Sequence, residues 1–404
     1  MAKVRPFKAI RPTRDKAHLF ATRSYVTYSE ETLKEKLENN PYTFLHIINP
    51  EYKKNEKKKG VEKYKLIRNK FDEFVKSSIL QKEEKKIFYL YKQQTKSHIF
   101  EGIIAASSVD DYLNGTIKVH EHTITEREQM FTDYLAITGF NADPVLLSYK
   151  GKCKINDVIK SVSKKRAEYN FTTTNKVQHQ LWLIDKEEDI YLICKQFENI
   201  DKIYIADGHH RSASSALLAR RKNEAKDANS NYFMSFLIAE TQLNIINFNR
   251  LIKHLNGLTP TDLLDRIAQN FSIQKSENIN PKNKDEIGMY LTGESYLLTA
   301  KEGSYNEDCV NGLGPSILSK NILSPILGIL DEKTDKNISF GAGNIPLSNL
   351  KAVVDNGENA VVFILKPIPI DALKEVSDKE KIMPPKSTYI EPKLRSGLTI
   401  YQID

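Results

Sequence analysis

The stretch Ile203–Leu218, IYIADGHHRSASSALL, decides how this chain is read. Ile203 to Ala206 form a short apolar run of strand type, and the small and helix-forming residues from Ser212 to Arg220 predict a helix. Asp207, Gly208, His209, His210 and Arg211 therefore fall at a strand-to-helix turn. A helix start carries unpaired backbone N–H groups and the positive end of the helix dipole, and a glycine lets a ligand approach the backbone closely. The turn reads as an anion site, with Arg211 and the backbone from Gly208 to Ser212 for phosphate and Asp207 for Mg2+ or a substrate hydroxyl. The plainer alternative is a turn in which Asp207 caps the helix, the histidines bond locally and Arg211 pairs with an acid. Two histidines and an arginine are more than a cap requires.

Composition bounds the rest. The chain has 404 residues, 40% of them hydrophobic and 28% charged, which suits a soluble protein of two or three domains. No apolar run approaches the ~18 residues of a membrane span. The opening MAKVRPFKAIRPTRDK lacks the apolar core of an export signal, and Cys153, Cys194 and Cys309 are odd in number and far apart. Both features predict a cytoplasmic protein with free thiols. The net charge of +8 comes largely from lysines mixed with glutamates between Tyr52 and Lys96, a pattern of solvated helix faces. A nucleic-acid surface would show arginines with interleaved aromatics on a docking module, so DNA or RNA is not the expected partner.

The patterns along the chain predict a mixed α+β fold. Val61, Tyr64, Ile67, Phe71, Phe74 and Val75 recur at helical spacing, and IFYLYK and HIFEGIIAASSV read as strands. In TIKVHEHTITEREQMFTDYLAITG, Thr116 to His120 is strand-like, Thr125 and Glu128 form a capping-box pattern, and Gly139 is a helix stop. KVQHQLWLID alternates as a strand, and EEDIYLICKQF is a helix leading into the opening stretch. The expected division is an N-terminal α/β region over 1–115, a phosphate-binding core over 116–250, and a C-terminal α/β region over 251–404.

Two further constellations carry chemistry. On a strand, His120 and His122 share one face and Glu121 points to the other. At the strand's C-terminal edge, where open α/β folds place ligands, Glu121 suits a carboxylate base. A zinc site drawn from these histidines lacks the common ligand spacings. The tail IMPPKSTYIEPKLRSGL offers Lys386 and Lys393 as cations that reach a phosphate, with MPPKST (383–388) returning to the site on a proline-stiffened approach. The alternative for the tail is a docked terminal strand.

Asp207-Gly208-His209-His210-Arg211 resembles the Asp-Gly-His-x-Arg box of the ParB/sulfiredoxin-like superfamily, and His120-Glu121 resembles the His-Glu of its free serine kinase branch. PFKAIRP, NPYTFLHIINPE, VHEHT, HQLW, YIADGHHRSAS and MPPKSTYIEPKLRSGL together resemble domain-of-unknown-function family 1015 over nearly the whole chain. Where relatives carry a Pro-Tyr-Asp-Val element, this chain has Arg23-Ser24-Tyr25-Val26, so no catalytic role is assigned to the N-terminus. Sulfiredoxin chemistry needs a cysteine in the box, which is absent, and partition proteins need a helix-turn-helix after it, which this sequence lacks. The resemblance implies a ParB-like nucleotide-binding core and a phosphotransferase that makes O-phosphoserine from free L-serine with ATP or ADP and Mg2+. In that reading Glu121 is the general base. Asp207, His209 and His210 complete the catalytic set, and Gly208, Arg211, Ser212, Lys386 and Lys393 hold the nucleotide phosphates. No Walker-type loop occurs. A nucleotide hydrolase or pyrophosphatase using the same turn, and a nucleotide-responsive binding protein without chemistry, are the alternatives.

Overall fold

The computed structural model describes residues 1–24, 27–151 and 153–403, so Tyr25 and Val26 of the Arg23–Val26 element lie outside the described residues. The chain divides into two compact units, Met1–Leu243 with Pro392–Asp404, and Asn244–Glu391. Both are mixed α+β, as the alternating patterns predict.

The first unit is built on a nine-stranded mixed sheet. Its neighbours run Ile117–Lys118, Ile203–Asp207, Val145–Tyr149, Tyr232–Ala239, Ile99–Ser108, Phe88–Gln94, Gln178–Ile184 and Tyr169–Thr172, with Val4–Arg5 added beside Ile99–Ser108. Strands from both sides of residue 115 thus share one sheet. Alternation sends Leu90, Ile103, Val145, Leu147, Ile205 and Leu237 to one face, where they meet Ile155, Ile193, Phe197 and Ala216 of the covering helices. Each large side chain buried there contributes roughly 1.5–3 kcal/mol. The other face receives the C-terminal segment. The Thr399 hydroxyl donates to Met234 Sδ at 3.3 Å, and Ile400–Gln402 joins Ala9–Pro12, Leu80–Lys82 and Phe140–Asn141 in a small four-stranded sheet. The predicted amphipathic helix is Gly60–Lys76; it buries Ile67, Phe71 and Phe74, and Phe71 stacks on Phe140 at 4.4 Å.

Three local readings shift. The helix after the opening strand begins at His209 rather than Ser212, because Gly208 adopts a left-handed φ of 108° and its carbonyl accepts from the N–H groups of both Arg211 and Ser212. The strand expected over Thr116 to His120 shortens to Ile117–Lys118, since His120 turns to pack on His209. The capping box at Thr125 and Glu128 does not form. Ile124 precedes the helix Thr125–Thr138, and the Thr123 hydroxyl takes the Glu128 carboxylate instead. Gly139 ends that helix with a φ of 71°, as predicted.

The second unit carries a six-stranded sheet in the order Phe271–Lys275, Glu294–Ala300, Glu286–Leu291, Val361–Leu365, Phe248–Ile252 and Ile338–Ala342. A separate pair joins Asn244–Ile246 to Tyr389–Glu391. Among the described residues no helix is long and apolar enough to cross a membrane.

Candidate functional site

Strands Ile117–Lys118 and Ile203–Asp207 pair in parallel, so their C-terminal ends lie side by side at one sheet edge. One strand ends in Asp207; the other leads to His120 and Glu121. Two segments far apart in sequence thereby meet.

Gly208 makes the turn possible. Its φ of +108° is one that side-chain-bearing residues rarely adopt, and a Cβ there would stand 2.8 Å from Nε and Nη2 of Arg211. Without that obstacle the guanidinium folds back over the glycine. Arg211 Nη1 donates to the Pro144 carbonyl at 2.6 Å, and Nη2 donates to Asp207 Oδ2 at 2.5 Å. Lys393 Nζ donates to the other oxygen, Asp207 Oδ1, at 2.9 Å. Burial raises the Asp207 pKa, but Lys393 and Arg211 outweigh it and hold the carboxyl at about 2. Asp207 is an anion throughout the physiological range, held between two cations.

The histidines form the second half of the site. His209 is buried, and its ring meets that of His120 edge to face at 4.5 Å between centroids. The His120 backbone N–H donates to His209 Nε2 over 3.5 Å. Nε2 is thus the acceptor, and the ring proton belongs on Nδ1, 3.5 Å from Glu121 Oε2. Burial pushes the His209 pKa well below its ordinary value, with His120 adding to the shift, and burial lowers His120 to about 4. Both rings are neutral at pH 7, and His120 Nδ1 is buried without a hydrogen-bond partner among the described residues. The Glu121 carboxylate remains partly exposed beside them.

The expected residues therefore separate. Glu121, Asp207, Gly208, His209, Arg211 and Lys393 converge, and His210 sits half-buried in the first helical turn. Ser212 is turned into the fold, completely buried, with its hydroxyl on the Gly208 carbonyl at 3.4 Å. Lys386 belongs to the second unit, where its ammonium lies over the Phe248 ring at 5.4 Å. The pairing of His120 with His209 and the grip of Pro144 on Arg211 left no mark in the sequence that pattern reading would find.

A lysine and an arginine take both Asp207 oxygens, so a Mg2+ held by Asp207 would have to displace them. No group of three or more His, Cys, Asp or Glu among the described residues is placed to hold a metal ion, which applies equally to the zinc reading.

Comparison with solved structures finds similarity to a mutant free serine kinase in complex with AMP, 13% identical, covering 73% of this chain and 92% of that chain with a TM-score of 0.39. A conserved hypothetical protein from Pyrococcus furiosus is 14% identical, covering 72% and 90% with a TM-score of 0.36. SbnI with a C-terminal truncation from Staphylococcus aureus is 12% identical, covering 74% and 87% with a TM-score of 0.36. No curated protein matches the sequence. The model of the family described as "Protein of unknown function (DUF1015)" matches residues 4–331, more than half of the sequence, and the chain belongs to that family.

Proposed function

We propose that the first unit transfers a phosphoryl group from ATP or ADP to the hydroxyl of a small acceptor, and that the acceptor is free L-serine, giving O-phosphoserine. The observation that carries this is the meeting of a partly exposed carboxylate, Glu121, with the Asp207–Arg211–Lys393 cation cluster at one sheet edge. The resemblance of the Asp207–Arg211 and His120-Glu121 boxes to the free serine kinase branch supports the choice of acceptor.

Phosphoryl transfer needs positioning and charge neutralisation more than covalent help from the protein. Arg211 and Lys393 would exchange the Asp207 carboxylate for phosphate oxygens when the nucleotide enters. Glu121 would take the serine hydroxyl proton as the hydroxyl oxygen bonds to phosphorus and the bond from phosphorus to the leaving nucleotide oxygen breaks. His209, neutral and with its Nδ1 proton facing Glu121, would orient that carboxylate without adding a positive charge that weakens the base. His210, beside it, would face the incoming phosphates. Mg2+ enters this reading only on the nucleotide's own phosphates.

Incubation with ATP or ADP, Mg2+ and L-serine, followed by phosphorus NMR, is expected to show the O-phosphoserine signal. Glu121→Gln should lower turnover by ~10²-fold or more and leave nucleotide affinity in place. Phosphate release without phosphoserine would make the protein a hydrolase, and nucleotide binding without turnover would make it a binding protein. Either result overturns the proposal.

A further inference from the structure

Three arginines are buried among the described residues, Arg11, Arg250 and Arg395. A buried cation is costly unless a carboxylate and further hydrogen bonds offset its lost hydration. Arg11 has Glu83 and, at 2.9 Å, Glu168; Arg250 has Glu332 at 3.3 Å. Arg395 is nearly as enclosed, 9% exposed, and among the described residues no carboxylate pairs with it. Its Nη2 donates to Asn175 Oδ1 at 3.3 Å, the Tyr28 side chain also hydrogen-bonds it, and Arg23 adds repulsion.

A second donor lies beside it. His179 is 1% exposed and feels the Arg395 charge. Its Nδ1 is 2.8 Å from the Tyr91 hydroxyl. In the tautomer with its ring proton on Nε2, His179 accepts the Tyr91 phenol proton at Nδ1. His179 Nε2 then carries a hydrogen, and it is buried with no partner among the described residues. A buried ring nitrogen without a partner thus lies in the field of a buried cation that has neutral partners, Asn175 and Tyr28. Interiors rarely leave such groups unmet.

The sheet register says which surface they share. Asp207 pairs with Leu146, Leu146 with Phe236, Phe236 with Ile104, and Ile104 with Tyr89, and cross-strand partners lie on one face. Tyr91 is two residues beyond Tyr89 and so on that face, with its ring 5.6 Å from Phe236. Gln93 and His179 pair directly and share it too. The C-terminal segment runs over this surface, with Lys393 on Asp207 and Arg395 within the ~7 Å that two extended residues span.

We propose that Arg395 and His179 form an anion-binding subsite that receives a carboxylate or phosphate group of a ligand lying on the same sheet face as Asp207. The proposal does not depend on serine being the phosphoryl acceptor.

The test titrates the full chain with inorganic phosphate and, separately, with succinate at matched ionic strength, and tracks the labelled imidazole signals by NMR. The His179 resonance, identified by its loss in His179→Gln, is expected to move with at least one anion. A response to phosphate alone assigns a phosphorylated ligand, and a response to succinate alone assigns a carboxylate. Arg395→Gln should weaken the response at least ~10-fold, the scale of a lost charge-assisted contact. The same variant should melt at the wild-type temperature or above it, because an unpaired buried cation has been removed. The proposal is overturned if neither anion moves the His179 signal, if Arg395→Gln responds as wild type does, or if that variant is destabilised or unfolded, which would assign Arg395 to the fold.

Discussion

At Asp207–Arg211 the charged groups face one another across a turn that is still partly open to solvent, whereas at Met383–Thr388 the backbone is tied into a closed strap. Arg250 of the second unit, fully buried, donates to the Pro385 and Lys386 carbonyls at 3.2 and 3.1 Å and pairs with Glu332. The Ser387 hydroxyl closes the strap on the Pro384 carbonyl at 2.7 Å. Both stretches look purposeful in the sequence. What separates them is saturation. In the strap a hidden cation meets fixed acceptors inside the fold, while at the turn the cations meet a carboxylate that a phosphate can replace.

The sharpest way to break that contrast is to remove the arginine of the strap. Arg250→Met leaves Glu332 buried and unpaired, and urea denaturation should show a loss of about 3–5 kcal/mol. Adding Glu332→Leu should return much of it, since the unpaired charge is then gone. At the turn, Asp207→Asn should cost under ~1 kcal/mol, as expected for a partly exposed ion pair. A turn variant that unfolds as readily as Arg250→Met would make both sites structural.

Local signals carried the site a long way. The apolar run at Ile203, a turn at Gly208 and the position of Glu121 after a strand are set by nearest neighbours in sequence, and sequence reading recovers them; the left-handed φ of Gly208 is a finding of the structure. Lys393 was readable as a tail cation that reaches a phosphate, but its contact with Asp207 depends on a chain return that no local pattern encodes. The same holds for Arg395 and His179, brought together by a strand pairing and a terminal segment. Ser212 misleads for a different reason. A serine at a presumed helix start suits phosphate, but moving the start to His209 carries it round the helix into the core.

The turn should also reveal itself through pH. His120 has a folded-state pKa lowered to about 4 by burial, against about 6.5 for an exposed histidine. Below pH 6.5 the unfolded chain takes up a proton that the native ring refuses until about pH 4. Its stabilising contribution is therefore complete above 6.5 and is lost as the pH falls to 4, on the order of 3 kcal/mol in all. Denaturation curves across that window should flatten in His120→Gln relative to wild type. An identical slope in the two proteins would mean that the ring is protonated in the native state.

The smallest effect is expected at Lys386, and it compares the two lysines that the sequence offered together. Lys393 Nζ is 2.9 Å from Asp207, and its replacement by methionine should weaken nucleotide binding several-fold by removing a charge-assisted contact. Lys386 holds its ammonium 5.4 Å from the centre of the Phe248 ring, an attraction worth roughly 0.5–1 kcal/mol at an exposed site. Methionine keeps most of the stem that packs there and loses the charge. Lys386→Met should therefore lower stability by no more than that amount and leave nucleotide affinity at the wild-type value. Measuring both quantities on both variants decides between them. If Lys386→Met weakens binding as Lys393→Met does while its melting temperature stays put, then Lys386 leaves Phe248 to reach the phosphates when nucleotide is bound, and the strap belongs to the site after all.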